Sequence, residues 1–178
     1  MKLTDLPFQP MPPQPAFEKE ELERFVSAPR IAMLSYTKRD GGPSQAPIWY
    51  RYEDGRFLMM TARNADKARA LAREGRACLA IQDEMPPYRA VIIDGTVTLE
   101  DAPVEGGLNS WLAMHYLGKV GGREFEKMTV EENHKRGLVQ ITLEPTRVRG
   151  FDNHRIVGAG LRAYMRLREN LPLPRSWF

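Results

Sequence analysis

Two glycine-containing turns constrain the fold of this chain more than any other feature of its sequence. An Asp-Gly-Gly-Pro turn at residues 40–43 and an Asp-Gly turn at residues 54–55 separate three short runs rich in apolar and aromatic residues. Glycine supplies the positive φ that tight hairpins require, and Asp-Gly between such runs is a strong hairpin signal. The spacing therefore predicts that residues 30–37, 44–52 and 56–61 form an antiparallel meander.

The rest of the chain continues this pattern. Three further strands are predicted over residues 76–82, 88–99 and 137–151, with a bulge or bend at Gly95. Asn64 suits the N-cap of a helix over residues 65–73, and Gly75 suits its left-handed end. Other helices are predicted over residues 17–27, 108–118, 122–128 and 161–170, and those over 108–118 and 122–128 are expected to be connectors. The fold class is mainly β: a six-stranded antiparallel barrel with peripheral helices.

Composition divides the chain into three parts. Five prolines before residue 16 predict an extended N-terminal arm over residues 1–16. A chain of 178 residues is long enough to bury a single hydrophobic core. We expect residues 17–151 to form this one domain. Residues 146–178 contain seven arginines and two acidic residues, which gives +5, so residues 152–178 are predicted to be a basic C-terminal extension.

Several classes of protein are excluded by residue counts. Cys78 is the only cysteine, so no internal disulfide can form. The three histidines have no zinc-ligand spacing, and no metal site is predicted. No apolar run is long enough to span a bilayer, and the first residues lack the apolar core of a secretory signal. We therefore expect a cytoplasmic protein without a membrane partner.

The corner between the third strand and the following helix is the most informative segment. Free backbone N–H groups and the positive end of a helix dipole meet there. Thr61 can donate a hydroxyl hydrogen, and Arg63 and Lys67 can neutralise negative charge. The segment therefore suits a phosphate. The alternative is an ordinary surface helix with solvated Lys67 and Arg69, and Asp66 among the donors favours that alternative.

The order of elements from residue 30 to residue 99, with the Thr-x(5)-Lys-Ala-Arg segment at 61–69 and Pro-Pro-Tyr-Arg at 86–89, resembles the FMN-binding split β-barrel family. That family includes pyridoxamine 5'-phosphate oxidases and deazaflavin-dependent reductases. The resemblance implies a homodimer with a flavin-type cofactor, its phosphate held by residues 61–67 and its ring along the second strand. The implied cofactor-binding residues are Gln45, Pro47, Ile48, Trp49, Thr61, Ala62, Arg63, Lys67, Tyr88 and Arg89.

The resemblance implies an oxidoreductase that transfers a hydride to or from a small organic substrate. Pyridoxamine 5'-phosphate oxidases usually carry an Arg-Lys pair at the helix start, whereas this chain has Asp66-Lys67, which argues against vitamin B6 oxidation. The cofactor is predicted to be FMN or, alternatively, the deazaflavin coenzyme F-420, for which Arg51, Arg56 and Arg63 could line a longer groove.

Other functions stay open at this stage. No catalytic acid or base can be named, so a non-catalytic flavin or haem carrier is the alternative. The arginine-rich tail could contact nucleic acid, but no DNA-binding motif accompanies it and no nucleic-acid partner is predicted. His115 is a candidate haem ligand, against the simpler interpretation of an ordinary helix histidine. Alternation along the second strand predicts that Trp49 faces away from Tyr50 and Tyr52.

Overall fold

The computed structural model describes residues 2–11, 13 and 15–170. The last eight residues of the predicted basic extension, 171–178, which include Arg175, lie outside the described residues. The described residues form four α-helices: α1 Lys19–Ser27, α2 Asp66–Glu74, α3 Gly107–Arg136 and α4 Ala159–Asn170. The strands are β1 Phe8–Pro10, β2 Ala32–Thr37, β3 Pro43–Ile48, β4 Tyr50–Glu53, β5 Arg56–Ala62, β6 Arg76–Gln82, β7 Arg89–Ala102 and β8 Leu138–Asp152. None of the helices within the described part is long and apolar enough to cross a bilayer.

The strands form one sheet that closes into a barrel. Its order is β3-β2-β6-β7-β8-β5-β4, and Trp49 is the only residue between the two outermost strands, β3 and β4. One bent strand therefore occupies both ends of the sheet and joins them. This confirms the predicted mainly β barrel. The six predicted strands become eight segments because the second is interrupted at Trp49 and because β1 adds a short parallel strand beside β8.

Both predicted hairpins are confirmed. β2 pairs with β3, and β4 pairs with β5, each antiparallel. Asp54 and Gly55 have φ values of 51° and 78°, the positive pair that a two-residue hairpin loop with the right twist requires. The predicted irregularity at Gly95 is a register shift against β8. A Cβ at this position would lie 2.5 Å from the carbonyl oxygen of Glu144, so only glycine fits without a backbone shift.

Alternating side chains of the strands fill the barrel, and the part of the N-terminal arm around Leu3 packs against this core. Phe57, Met59 and Ile141 are fully buried in this core. Leu3 is also buried, and its N–H donates to the Tyr52 hydroxyl at 3.0 Å. The division of the chain at residues 16 and 151 stays a prediction, but the first segment packs against the barrel.

The start of α2 differs from the prediction. Its N-cap is Ala65, without a side-chain cap, because the side-chain oxygen of Asn64 instead accepts a hydrogen bond from Arg136 at 3.0 Å. The predicted cap at Asn64 is therefore wrong. The left-handed end at Gly75, with a φ of 63°, is confirmed.

The region after β7 forms a helical hairpin, α3. The backbone of Gly118 leaves the helical conformation, with φ 73° and ψ 170°, and the second half then runs to Arg136 instead of the predicted Met128. Its last turns are polar and exposed, so they carry no apolar periodicity from which their length could be predicted. Gly122 lets the halves pack closely, since a Cβ there would lie 2.8 Å from Met114 Cα.

Candidate functional site

A cleft of about 610 Å³ lies between the rim of the barrel and α3. That volume is in the range of small-molecule sites. The barrel contributes residues from β3, β5 and the start of α2, and both halves of the α3 hairpin contribute the opposite wall. The lining residues are Ile31, Pro47, Ile48, Trp49, Met60, Thr61, Ala62, Ala65, Lys67, Asn109, Leu112, Phe125, Thr129, Asn133, Arg136 and Leu138.

Trp49, at the bend between β3 and β4, provides the aromatic part of the cleft. Its ring stacks on Tyr116 of α3 with centroids 5.1 Å apart and an interplanar angle of 10°. Phe125, from the other half of the hairpin, lies 5.3 Å away. Tyr50 packs on the opposite side, against the core residue Phe57. The predicted orientation of Trp49, away from Tyr50, is therefore correct, and α3 fixes the ring from both halves.

The other part of the cleft is polar and positively charged. Lys67 and Arg136 both line it, and no Asp or Glu occurs among the described lining residues. Lys67 forms no ion pair or hydrogen bond with any described residue, and burial lowers the pKa of its ammonium group. Thr61, 9% exposed, also lines the cleft. Its hydroxyl forms no hydrogen bond within the described part of the chain. These unused donors can bind an anion.

The structure brings six of the sequence-predicted site residues together in this cleft: Pro47, Ile48, Trp49, Thr61, Ala62 and Lys67.

The other four lie elsewhere in this subunit. Gln45 lines a separate depression with Cys78 and Asp94. Arg63 forms an ion pair of 2.8 Å with Asp101 of β7.

Tyr88 and Arg89 lie at the far end of β8 from the cleft. Arg89 pairs with Asp152 in the sheet, whereas the cleft residue Ala62 pairs with Leu138. The guanidinium of Arg89 forms an ion pair with Asp83 at 2.6 Å, and the side chain of Tyr88 is half exposed.

Sequence reasoning missed the wall that α3 contributes, because both of its halves were expected to be connectors. A signal was nevertheless present. Phe125, Thr129 and Asn133 follow one another at four-residue spacing and Arg136 comes three residues later, which places all four on one face of a helix. The sequence could not show that this helix face packs against the barrel.

Two residues considered in the sequence lie outside the cleft. His115 stacks on Trp111 with ring centroids 4.4 Å apart and meets Tyr116 edge-on. It does not line the cleft, so it is not placed to ligate a haem there. Cys78 is half-buried on β6, and burial, with a contribution from Asp94, raises the pKa of its thiol to about 11. Within the described chain, no three His, Cys, Asp or Glu side chains are grouped to hold a metal ion.

A mainly antiparallel barrel with an amphipathic cleft at its rim is the architecture of a split β-barrel. The chain belongs to the pyridoxamine 5'-phosphate oxidase family, whose model matches residues 18–151. The family resemblance found in the sequence is thereby confirmed. No curated protein matches the chain.

Solved structures share the fold at low sequence identity. The conserved hypothetical protein Rv2991 from Mycobacterium tuberculosis is 20% identical, with a TM-score of 0.63, over 84% of this chain and 97% of that one. An F420 reductase is 18% identical, with a TM-score of 0.57, over 71% and 94% of the two chains. A heme binding protein from Mycobacterium smegmatis is 20% identical, with a TM-score of 0.50, over 74% and 52%. At these identities the likeness establishes the fold alone.

Proposed function

We propose that this protein binds a phosphate-bearing flavin-type cofactor in the cleft and uses it as an oxidoreductase. The observation that carries the proposal is Lys67. Its partly desolvated ammonium group has no partner within the described chain and lies in a cleft whose described lining has no carboxylate. Burying a cation without a partner is unfavourable, so a bound anion would supply the missing interaction. Thr61 adds a hydroxyl donor for the same group.

The remaining lining fits a planar ring system. Trp49 and Phe125 offer aromatic surface, while Ile31, Met60 and Leu112 add apolar contacts. Aromatic and aliphatic side chains with a few polar groups at one end are typical of cofactor sites. A bound flavin or deazaflavin supplies hydride transfer, and the chain itself orients the ring and excludes water.

Pro47, Ile48 and Ala62 would border the cofactor. Roles for Gln45, Arg63, Tyr88 and Arg89 stay predictions.

A carrier without catalytic activity is the second candidate. The observation that favours it is the composition of the cleft, whose described lining contains no Asp, Glu, His, Cys or Tyr. Apart from Lys67, no described lining side chain is of a type that commonly acts as a general acid or base. Rapid oxidation or reduction of the bound cofactor by NADPH or a reduced deazaflavin, followed by transfer to an acceptor, would exclude the carrier. A bound cofactor that exchanges no electrons would support it.

The proposal is tested by the mass and absorbance spectrum of any molecule released when the purified protein is denatured, and by direct titration with FMN and coenzyme F-420. Saturation at a hundredfold excess over the dissociation constant should stabilise the fold by about 2.7 kcal/mol. Lys67→Ala should weaken binding at least about tenfold, or roughly 1.4 kcal/mol. The matched control is Arg69→Ala, which removes a cation from the same helix that is exposed and paired with Asp66. A wild-type protein that binds neither cofactor contradicts the proposal.

The assembly and the location of the protein belong to the same proposal. We expect a homodimer in the cytoplasm. Light scattering coupled to size-exclusion chromatography measures the mass of the assembly. A monomer that binds cofactor with full affinity would contradict the dimer but not the cleft.

A further inference from the structure

We propose that Arg136 is a specificity-determining residue that, together with Lys67, selects a phosphate monoester dianion over a phosphodiester. The inference rests on the proposed cofactor cleft and deepens it. The bound anion would be a phosphate group with two negative charges, as in FMN. Through Arg136, α3 would contact this phosphate directly.

The position of Arg136 follows from the pairing of two strands. In the antiparallel ladder, Ala62 at the end of β5 lies opposite Leu138 at the start of β8. Asn64 is two residues beyond Ala62, and Arg136 is two residues before Leu138, so continuing the same register brings them together. The structure shows this continuation: the N–H of Arg63 donates to the carbonyl oxygen of Gly137 at 3.0 Å.

The side chain of Arg136 is held at one atom and free at the others. Its Nε donates to the side-chain oxygen of Asn64 at 3.0 Å and forms a long, exposed ion pair with Glu132 at 3.9 Å. The two terminal nitrogens form no hydrogen bond with any described residue. A guanidinium anchored in this way presents the remaining donors in a fixed fork, which suits two oxygens of one phosphate.

The charge of the cleft decides between the two kinds of phosphate. Lys67 and Arg136 contribute two positive charges, and no described lining residue is acidic. A monoester carries about −1.5 to −2 at pH 7, whereas a diester carries a single negative charge. A monoester dianion can therefore compensate both cations, whereas a diester compensates only one of them. The other counter-charge is then the exposed Glu132 carboxylate, 3.9 Å from Nε of Arg136.

The other basic side chains near the cleft already have partners. Arg63 pairs with Asp101. Arg51 contacts Glu53 and lies over the ring of Trp111. Neither lines the cleft. Within the described chain, Lys67 and Arg136 are the cations that line this cleft.

The test is a set of equilibrium titrations of the purified protein with FMN, riboflavin and coenzyme F-420. Riboflavin has the same ring without the phosphate, and F-420 carries a phosphodiester. Arg136→Gln should lower affinity for FMN about tenfold or more, leave affinity for riboflavin within about twofold, and reduce the preference for FMN over F-420. Arg136→Lys keeps the charge and should recover part of that preference.

The matched control is Lys135→Gln, which removes the neighbouring positive charge at an exposed position that does not line the cleft. It should change none of the three affinities. Equal losses of FMN and riboflavin affinity in Arg136→Gln, or equal effects of the Arg136 and Lys135 changes, would overturn the role of Arg136. If Lys67→Ala still weakens FMN binding, the cofactor cleft survives that outcome. If the wild-type protein binds none of the three compounds, the proposed function itself fails.

Discussion

The Tyr116 ring stacks on Trp49, while its hydroxyl donates to the carbonyl oxygen of Arg30 at 2.8 Å and accepts from the N–H of Tyr50 at 3.2 Å. Tyr50 is the first residue after the bend that divides β3 from β4. One side chain of α3 therefore supports both the ring that faces the cleft and the backbone of the bend that closes the barrel. The same residue couples the cleft to the stability of the fold.

Tyr116→Phe should keep the stacked ring and remove the hydroxyl. We expect a loss of about 1–3 kcal/mol in the free energy of unfolding, because two part-buried backbone groups lose a partner. Urea denaturation of the variant and the wild type measures this difference in the free energy of unfolding. Tyr88→Phe is the control, since the Tyr88 side chain is half exposed, and it should change stability by less than about 0.5 kcal/mol. Equal effects of the two substitutions would contradict a structural role for the Tyr116 hydroxyl.

Lys67→Met should stabilise the protein without ligand at neutral pH. Burial lowers the pKa of Lys67 below its ordinary value of 10.5, so the folded state disfavours the charged form. The resulting penalty is fully present below the folded-state pKa and disappears as the pH rises to the ordinary lysine pKa. The stability gain of the methionine variant should shrink over the same alkaline range.

Unfolding free energies of the wild type and of Lys67→Met, compared between pH 7 and pH values above 10.5, test this expectation. Lys135→Met, at an exposed position of α3, should show no such pH-dependent gain. A destabilised Lys67→Met protein at pH 7 would contradict the unpaired state of Lys67. The variant should at the same time bind FMN more weakly, which is the trade-off expected where a binding site carries an unfavourable charge.

Gly122→Ala should open the α3 hairpin. Its Cβ would lie 2.8 Å from both Cα and N of Met114, and backbone atoms cannot move aside as a flexible side chain can. Overpacking of this kind typically costs about 1–3 kcal/mol. We expect lower thermal stability and weaker cofactor binding, because Phe125 and Arg136 lie on the displaced half.

Gly121→Ala is the control for Gly122→Ala. It adds the same methyl group to the same turn, where the nearest atom is Leu117 Cβ at 3.1 Å, and alanine is the better helix former. Thermal unfolding of both variants gives the comparison. A Gly122→Ala protein as stable as Gly121→Ala, with unchanged FMN affinity, would show that the hairpin does not depend on this close approach.

Cys78 should react slowly with iodoacetamide in the folded protein. Its thiol has a pKa raised from 9.0 to about 11, so at pH 8 the thiolate fraction is about a hundredfold lower than for an unperturbed thiol. Asp94→Asn should accelerate the reaction, because the Asp94 carboxylate contributes to the raised pKa. Since Cys78 is the only cysteine, mass spectrometry gives the extent of alkylation directly. Equal rates for folded and urea-unfolded wild type would contradict the expectation.

Much of the barrel could be predicted because its signals are local. The Asp-Gly turns fix two hairpins through the positive φ values of Gly41, Asp54 and Gly55. Gly75 ends α2 because its own backbone is left-handed. Asn64 shows the limit of such reasoning. As a local signal it is a good N-cap, but its side-chain oxygen accepts from Arg136, 72 positions later in the chain, and that partner is supplied by the pairing of β5 with β8.

The sequence by itself determined the turns, the alternating core strands and the strand-to-helix corner with Thr61 and Lys67, since each depends on neighbours in the chain. Only the tertiary structure decided what faces that corner. The bend at Trp49 brings the two ends of the sheet together, and the β5–β8 register places Arg136 beside Asn64. The helical hairpin then covers the cleft with residues more than 40 positions away from Lys67 in the chain. Contacts of that kind depend on packing between distant segments, and no local pattern specifies them.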